Sequence, residues 1–421
     1  MNSTVISSPS CADAIDPESI SVAQALDRIE ATITALDEYE ELSLKECLGR
    51  ISSESVLSPM DVPGHTNSAM DGFAVPSTSL PTQGINEFEE IGVAYAGLPF
   101  DRVCGANQCV RIMTGALIPE GTDTVIMQEQ AEQLENGRIR IATGHRAGEN
   151  MRSAGEDIEQ GALVLQQGCK INPAHLGVLA SLGIGSLKVW RKPIVAFFST
   201  GDELVSIGKP LEKGQIYDSN RYTLYGMLAQ LPVEILDLGV IEDQPDKIRQ
   251  ALVDAAAVAD LVISTGGVSV GEADYIKSVL EDIGQIEFWK IAIKPGRPLA
   301  FGAIDGSLFM GLPGNPVAVM VTFDRFVVPA IVKLSGATAS GPILFKAKSQ
   351  NKLRKKPGRY EIQRGIASLD ANNNWQVSKS GQQGSGILTS MSRANCFIVL
   401  SEDIDGVAVG DLVDIQLFDW N

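Results

Sequence analysis

The sequence is poor in histidine and has no paired cysteine motif. Its three histidines, His65, His145 and His175, lie far apart, and its six cysteines include no C-x-x-C spacing. Structural zinc sites need Cys and His at short, recurring spacings, so we expect no such site here. The cysteines are instead expected to be reduced and buried as small apolar residues.

Positive charge is also scarce. The 421 residues carry 34 Lys and Arg against 52 Asp and Glu, a formal net charge of −18. A field of that sign repels phosphate backbones and anionic bilayers, so we expect no nucleic-acid partner. No apolar run approaches the roughly 20 residues of a membrane span, and residues 1–16 lack the basic and apolar parts of a secretory signal. We therefore expect a cytoplasmic protein with no membrane partner.

Two helical signals frame a region with strand character. Ser21 and Gln24 form a capping box ahead of an amphipathic pattern, and Asn172 and Pro173 are typical of the cap and first residue of a second helix. The region between them is rich in Gly and Pro and contains short β-prone runs. We predict a disordered tail at 1–18, a discontinuous helical first domain at 19–58 and 146–190, and a β-rich inserted domain at 59–145.

From residue 191 onward, apolar strands alternate with helical patterns. Ile194–Phe198, Val233–Val240 and Leu261–Ile263 are separated by helical stretches. This alternation predicts a central, doubly wound, mostly parallel α/β sheet domain. The last segment has β signals without a long helical pattern, which favours a small β-barrel or a sandwich. We place the α/β domain at 191–335 and a C-terminal β-barrel domain at 342–421.

Three loops follow predicted strands at their carboxyl ends, the edge where open α/β sheets bind ligands. Their glycines and hydroxyls let backbone N–H groups approach an oxyanion, and a helix N-terminus offers further donors. Each loop alone is explained as well by a tight turn, but three at one edge favour a phosphate-binding pocket. The predicted binding residues are Ser199, Thr200, Gly201, Thr265, Gly266, Gly267, Ser269, Pro313, Gly314, Asn315 and Pro316.

Carboxylates are predicted at the same edge, where Asp243 follows the strand that ends at Ile241. Glu203, Asp243 and Asp274 are hard oxygen ligands of the kind that Mg²⁺ takes beside substrate phosphates. We therefore predict that these three residues bind Mg²⁺. The alternative is that each carboxylate caps the helix that follows it.

Two basic clusters are unusual in so acidic a chain. Lys290, Lys294 and Arg297 lie within eight residues, and on one extended strand Lys290 and Lys294 would share a face. We expect this cluster to bind an anion; the alternative is a solvated edge strand whose lysines discourage aggregation. The second cluster, which alone indicates a solvated face, consists of Lys352, Arg354, Lys355, Lys356 and Arg359.

Six motifs, in order from about residue 19 to the C-terminus, resemble those of the molybdopterin molybdenumtransferases, the MoeA family that includes the gephyrin E domain. They are Asn67–Val75 (NSAMDGFAV), Arg111–Gly115 (RIMTG), Ser199–Leu204 (STGDEL), Gly266–Tyr275 (GGVSVGEADY), Lys294–Pro298 (KPGRP) and Gly311–Pro316 (GLPGNP). The resemblance implies four domains, a molybdopterin-binding central domain and a homodimer. It also implies the last step of molybdenum cofactor synthesis, in which adenylylated molybdopterin and molybdate react with Mg²⁺ and AMP is released.

The resemblance further implies roles for residues at matching positions, with the site of one subunit completed by its partner. Phe73 stands where the motif commonly has Tyr, and Arg297 where it often has Lys; neither change removes a proposed ligand. The implied catalytic residues are Asp71, Thr114, Glu203, Asp274, Lys290 and Lys294. Further substrate-binding positions are Arg152, Arg297, Pro313, Pro316 and Ser385.

Other partners that we expect are a molybdopterin adenylyltransferase and proteins that mature molybdoenzymes. Two other functions stay open. The α/β domain also resembles the adenylyltransferases themselves, although the three extra domains argue against that activity. A non-catalytic, gephyrin-like scaffold would need appended domains, and only about 18 residues precede the matched region.

Overall fold

The computed structural model describes residues 19–267, 275–338 and 341–418, so the predicted tail at 1–18 lies outside the described residues. The chain folds into two compact units. Among the described residues, the large unit comprises 19–40, Gly49–Ile51 and 189–418, and the small unit comprises Glu41–Leu48 and Ser52–Lys188.

The small unit is built around a six-stranded sheet. Its strands, in order across the sheet, are Thr124–Met127, Gly72–Val75, Gln108–Ile112, Ile85–Ala94, Arg138–Ala142 and Ala131–Gln133. Phe73 and Ala74 belong to different buried clusters because successive side chains point to opposite faces of a strand. Two short antiparallel pairs also belong to this unit: Val56–Leu57 with Leu163–Leu165, and Asn67–Ser68 with Met151–Arg152.

Both helices signalled by capping residues are present. Val22–Thr32, in the large unit, begins after Ser21, whose side chain and that of Gln24 form the predicted capping box. Pro173–Ser181, in the small unit, begins after Asn172, whose side chain accepts a hydrogen bond from the His175 N–H. Because these caps bond the first free amides of a helix, they fix where each helix starts.

The large unit contains a six-stranded α/β sheet. Its order is Glu234–Ile241, Ile194–Thr200, Leu261–Thr265, Ser307–Leu312, Pro298–Ile304 and Gln285–Lys290. The first four strands are parallel, and Pro298–Ile304 runs antiparallel to both of its neighbours. The carboxyl ends of the parallel strands therefore meet at one edge, as the alternation of strands and helices predicts.

Helices cover both faces of this sheet. On one face, Phe197 packs in a cluster with Leu224 and Val319; on the other, Phe198 packs with Leu252 and Leu280. The sheet is buried on both sides, which explains why its strands read as nearly continuous apolar runs. The helices of the large unit are Val22–Thr32, Ser219–Leu228, Pro245–Ala256, Tyr275–Ile283, Pro316–Thr322, Val328–Leu334 and Thr389–Ser392, with a π-helical turn at Phe323–Val327.

Five strands close into a C-terminal barrel. Around the ring they are Tyr360–Leu369, Trp375–Lys379, Phe345–Ser349, Leu412–Leu417 and Cys396–Leu400, which pairs back with Tyr360–Leu369. Of the two architectures left open by the sequence, the barrel is found. The predicted fold class, a multidomain protein of α/β and β parts with a central doubly wound sheet, is confirmed.

The remaining short elements complete the described secondary structure. They are strands Tyr39–Ser43, Ser186–Trp190, Leu204–Val205, Ile216–Tyr217 and Ile293–Lys294, and 3₁₀ turns Leu44–Cys47, Ser77–Ser79 and Gln128–Gln130. In the described part of the chain, no helix is long and apolar enough to cross a membrane. The five described cysteines are free thiols, and burial raises the pKa of Cys109 and Cys396 to about 12.

One prediction about strands is wrong. Lys290 and Lys294 do not share a face of one strand, because Lys290 ends a strand of the α/β sheet whereas Lys294 belongs to a short strand that pairs with the barrel. Between them, the N–H of Ala292 donates to the Ile20 carbonyl, and the Ala292 carbonyl accepts from Tyr360. The backbone thus changes partners within four residues, which a count of alternating positions does not detect.

Candidate active site

A cavity of about 800 Å³ lies at the carboxyl ends of the parallel strands. The three loops predicted to share a pocket all line it, although whether they bind substrate stays a prediction. The lining members of these loops are Thr200, Gly201, Glu203, Thr265, Gly266, Gly267, Pro313, Gly314, Asn315 and Pro316.

Glycine is required where two of these loops touch. Gly266 has a φ of +83°, and a Cβ added there would lie 2.3 Å from the Thr200 carbonyl oxygen. Its N–H also donates a 3.3 Å hydrogen bond to the Leu312 carbonyl. The three strand ends are therefore joined through the backbone of Gly266, which no residue with a side chain could replace without movement.

The hydroxyls of the loops divide into two groups. Thr265 donates a 3.0 Å hydrogen bond to Ser199, and both side chains are buried. Ser199 is not among the residues that line the cavity, so its observed contact is structural. Thr200, in contrast, lines the cavity and donates a 3.2 Å hydrogen bond to Asp243.

Two of the three predicted metal ligands, Glu203 and Asp243, face this cavity. Burial raises the pKa of Asp243, against the opposing hydrogen bond from Thr200, and the charges of Asp202 and Glu203 raise it further. A carboxylate whose charge is disfavoured in this way would be stabilised by a cation beside it.

Glu203 and Asp243 are the described members of the predicted Mg²⁺ donor set. Two carboxylates at one rim suit Mg²⁺, which usually takes one or two and completes its shell with water and phosphate oxygens. Among the described residues, no group of three or more His, Cys, Asp or Glu side chains is arranged to hold a metal. The third predicted ligand, Asp274, and the predicted binding residue Ser269 lie outside the described residues.

A second, basic pocket of about 340 Å³ adjoins the cavity. The two share Pro298, Pro313 and Asn315 as lining residues. Among the predicted residues, Lys294, Arg297 and Ser385 line this second pocket. The Ser385 carbonyl accepts a 3.0 Å hydrogen bond from the Val317 N–H, which connects the barrel loop to the first turn of the helix Pro316–Thr322.

Arg364 also lines the basic pocket, and the sequence reasoning missed it. Its side chain is buried and donates hydrogen bonds to the Ser390 hydroxyl at 3.1 Å and to the carbonyls of Gln382 and Gly384 at 3.2 and 3.0 Å. Burial lowers its pKa to about 10. In the described part of the chain Arg364 forms no ion pair, although the charge of Glu361 in the same pocket acts on it, so Arg364 is a candidate to bind an anion there. In sequence Arg364 stands among polar residues, after Glu361 and Gln363, so no local signal distinguishes it.

The predicted lysines are placed differently. Lys294 forms a 3.4 Å ion pair with Glu361, which also accepts a 2.8 Å hydrogen bond from Gln363. This carboxylate fixes Lys294 at the mouth of the basic pocket. Lys290 lines neither cavity; its carbonyl accepts a hydrogen bond from the Ile20 N–H.

Three predicted residues belong to the small unit. Thr114 donates two hydrogen bonds to Asp71, from its N–H at 2.7 Å and from its hydroxyl at 2.8 Å. The backbone bond, followed by the hydroxyl bond, lowers the pKa of Asp71, and the charge of Arg111 adds to this effect. Arg152 lies opposite Asn67 in a short antiparallel pair. The two motifs of this unit therefore meet at an exposed, ionised carboxylate.

Family models account for nearly the whole chain. A model described as MoeA N-terminal region (domain I and II) matches residues 20–183, one described as a probable molybdopterin binding domain matches 196–333, and one described as MoeA C-terminal region (domain IV) matches 346–418. The α/β sheet and its cavity fall within the second match.

Known proteins with similar sequences span the same length. A molybdopterin molybdenumtransferase of Haemophilus influenzae is 46% identical over 380 residues, covering 90% of this chain and 94% of that protein. One from Nostoc is 36% identical over 379 residues, covering 88% of this chain and 86% of that protein. The crystal structure of the molybdopterin biosynthesis MoeA protein from Pyrococcus horikoshii superposes with a TM-score of 0.84 at 28% identity, covering 95% of this chain and all of that one.

Fold and cavity thus define a protein with a molybdopterin-binding type of α/β domain. The chain belongs to the MoeA family. The family predicted from the six motifs is confirmed, and so, at the level of the family, is the prediction of a transferase in molybdenum cofactor biosynthesis.

Proposed function

We propose that this protein inserts molybdenum from molybdate into adenylylated molybdopterin and releases AMP. The observation that carries the proposal is the adjacency of two unlike sites: a large cavity with two carboxylates at its rim, and a basic pocket that shares Pro298, Pro313 and Asn315 with it. The large cavity suits a nucleotide-linked substrate, and the basic pocket suits a tetrahedral oxyanion.

The large cavity is where we place the adenylylated substrate. Backbone N–H groups near Gly201 and Gly266 can approach its phosphates, because these positions lack a Cβ. Glu203 and Asp243, with Asp274, would hold Mg²⁺ against those phosphates. The ion, when bound, supplies Lewis-acid polarisation of a phosphoryl oxygen.

The basic pocket is where we place molybdate. The guanidinium of Arg364 is held by the three hydrogen bonds that it donates to Ser390, Gln382 and Gly384, so it needs no reorganisation to meet a dianion. Lys294 and Arg297 add positive charge at the same pocket, and Ser385 adds polar groups. Together these residues would position the oxyanion beside the substrate in the neighbouring cavity.

A homodimer is part of the proposal. Ile216 and Tyr217 line the large cavity yet are 55% and 45% exposed, and Tyr222 and Tyr225 are exposed on the helix Ser219–Leu228. Apolar surface beside a polar cavity is typical of a protein interface. The exposed pair Asp71 and Thr114, with Arg152, would then complete the cavity of the opposite subunit. The free thiols are also consistent with the proposed cytoplasmic location.

The experiment is an assay of AMP release from adenylylated molybdopterin by the purified protein, with and without molybdate and Mg²⁺. Release that depends on both supports the proposal. Consumption of ATP with molybdopterin would instead identify an adenylyltransferase. If neither reaction occurs, the non-catalytic scaffold is the function that remains.

A further inference from the structure

The second basic cluster lies on one extended segment of the barrel domain, where exposed and buried side chains alternate. Between strands Phe345–Ser349 and Tyr360–Leu369, the side chains of Lys352, Arg354 and Lys356 are exposed, while those of Leu353 and Lys355 are buried. This inside–outside alternation is typical of an extended segment. The three cations therefore point outward from one side of the segment.

The segment is held firmly against the barrel. Leu353 and Val407 exchange two backbone hydrogen bonds of 2.9 and 3.0 Å. The ammonium of Lys355 donates to the carbonyls of Lys356, Glu402 and Ile404 at 3.3, 3.1 and 3.1 Å. Burial lowers the pKa of Lys355, against the neighbouring carboxylates Glu361, Glu402 and Asp403. Lys355 therefore acts as an internal anchor, and its neighbours in the segment are held in place.

A groove of about 390 Å³ runs along this segment. Six cations line it, namely Lys294, Lys352, Arg354, Lys355, Lys356 and Arg359, against two carboxylates, Glu361 and Asp405. In a chain of net charge −18, this is a local reversal of sign. Glu361 is moreover engaged by Lys294 at 3.4 Å, which leaves less negative charge to oppose an incoming anion.

The groove leads to the basic pocket. Lys294, Arg359 and Glu361 line both. An anion that enters along Lys352, Arg354 and Lys356 thus meets a continuous series of cations that ends at the buried Arg364.

We infer that this groove is the entry route for molybdate, with Lys352, Arg354 and Lys356 as steering residues; the inference rests on the proposed function. The net negative charge of the protein repels a dianion. The fixed cations of the groove offset that repulsion along the path to the basic pocket. The three side chains are exposed, so they attract an anion over a distance without holding it tightly. They raise the rate at which molybdate associates with the protein. The residues of the two cavities carry out the chemical step.

The test is a variant with Lys352→Ala, Arg354→Ala and Lys356→Ala together, in which Leu353 and Lys355 keep the segment in place. At low ionic strength its KM for molybdate should rise about tenfold, the lower end of the range for electrostatic steering, while kcat is unchanged. The difference should shrink as salt is added, because exposed charges are screened beyond a Debye length of about 8 Å at 0.15 M. Thermal unfolding checks that the variant is folded.

The matched control removes three charges from exposed positions of the same barrel that line neither the groove nor the basic pocket: Lys348→Ala, Lys379→Ala and Arg393→Ala. It should leave the KM for molybdate within about twofold of wild type. It removes as many positive charges as the groove variant does, but none of them lines the groove. A rise as large as that of the groove variant would overturn the inference, because net charge alone would then explain it.

A second readout separates this inference from the proposed function. Molybdate binding to the full-length protein, without adenylylated substrate, is followed by stopped flow. Steering predicts a lower association rate for the groove variant with an unchanged dissociation rate. If wild type binds molybdate faster than the groove variant but releases no AMP, the proposed reaction fails while the route stands. If wild type is active and the variant matches it in KM and association rate at low salt, the route is wrong.

Discussion

Thr200 donates a hydrogen bond of 3.2 Å to Asp243, and this bond joins the ends of two adjacent parallel strands at the wall of the large cavity. The bond stabilises the charged form of Asp243, yet the pKa of this carboxyl is raised, because burial and the charges of Asp202 and Glu203 outweigh it. The surroundings of Asp243 therefore disfavour its charged form, and a cation beside it would offset that cost.

This imbalance predicts a pH-dependent stability. With its pKa raised on folding, Asp243 adds stability below its ordinary pKa, and that contribution is lost as pH rises through the raised value. Asp243→Asn should thus be more stable than wild type at neutral pH without metal, and the difference should disappear near about pH 4. Urea unfolding of both proteins across this pH range checks it. A variant less stable than wild type at neutral pH would contradict the stated cause.

Added Mg²⁺ should affect the two proteins differently. An ion at about 100 times its dissociation constant adds about 2.7 kcal/mol to the free energy of unfolding. Wild type should gain this stability, and Asp243→Asn should gain much less at the same concentration. Thermal unfolding with and without Mg²⁺ measures the difference, and Asp254→Asn, on an exposed face of the helix Pro245–Ala256, is the control. Equal gains in all three proteins would exclude Asp243 as a ligand.

Arg364 should determine the affinity for the oxyanion. Arg364→Lys keeps the charge but loses the planar fork that bonds Ser390, Gln382 and Gly384. We expect the KM for molybdate to rise about 100-fold and the free energy of unfolding to fall by about 1–3 kcal/mol. Arg393→Lys, at an exposed position of the same barrel, should change neither. If Arg364→Lys lowers stability but leaves the KM unchanged, Arg364 is structural only.

Replacing Gly266 should show how much the close contact between the three loops contributes to stability. In Gly266→Ala the new methyl group would lie 2.3 Å from the Thr200 carbonyl oxygen, in addition to the strain of a positive φ. Gly214→Ala is a matched control, since Gly214 has a φ of +93° but no atom within 4 Å of an added Cβ. The control should lose about 1 kcal/mol and Gly266→Ala about 2 kcal/mol more, measured by urea unfolding. Equal losses would mean that the loops move apart without penalty.

Much of this architecture was predictable because its signals are local. The caps at Ser21 and Asn172 bond amides three residues away, so both helix starts follow from sequence. The parallel strands carry their own apolar runs, and topology alone then brings their carboxyl ends to one edge. The helix Ser219–Leu228 begins where Asp218 caps it by accepting a hydrogen bond from the Arg221 N–H, again three residues away.

The basic pocket was not predictable in the same way. Arg364 reaches it only because the strand Tyr360–Leu369 closes the barrel by pairing with both Trp375–Lys379 and Cys396–Leu400. No local pattern encodes that closure. The same limit applies to Lys294, whose short strand Ile293–Lys294 pairs with the barrel and not with the α/β sheet. Residues 352–356 were interpreted as a solvated face because their neighbours in space are distant in sequence.

The proposed homodimer can be tested by mixing two inactive variants. If Asp71 completes the cavity of the opposite subunit, a heterodimer of Asp71→Asn and Asp243→Asn has one cavity with both residues intact and one with neither. Random exchange gives heterodimers as half of all dimers, so an equal mixture should recover about a quarter of wild-type AMP release. Each variant alone should be nearly inactive, and light scattering should show dimers throughout.

The control for this experiment is a mixture of Glu203→Gln with Asp243→Asn. Both residues line the same cavity of one chain, so each heterodimer would contain two damaged sites and recover almost nothing. Recovery in the first mixture but not in the second would establish that Asp71 acts across subunits. If neither mixture recovers although subunits exchange, then Asp71 acts within its own chain or has no part in the reaction, since only a residue supplied by the second chain can restore an intact cavity.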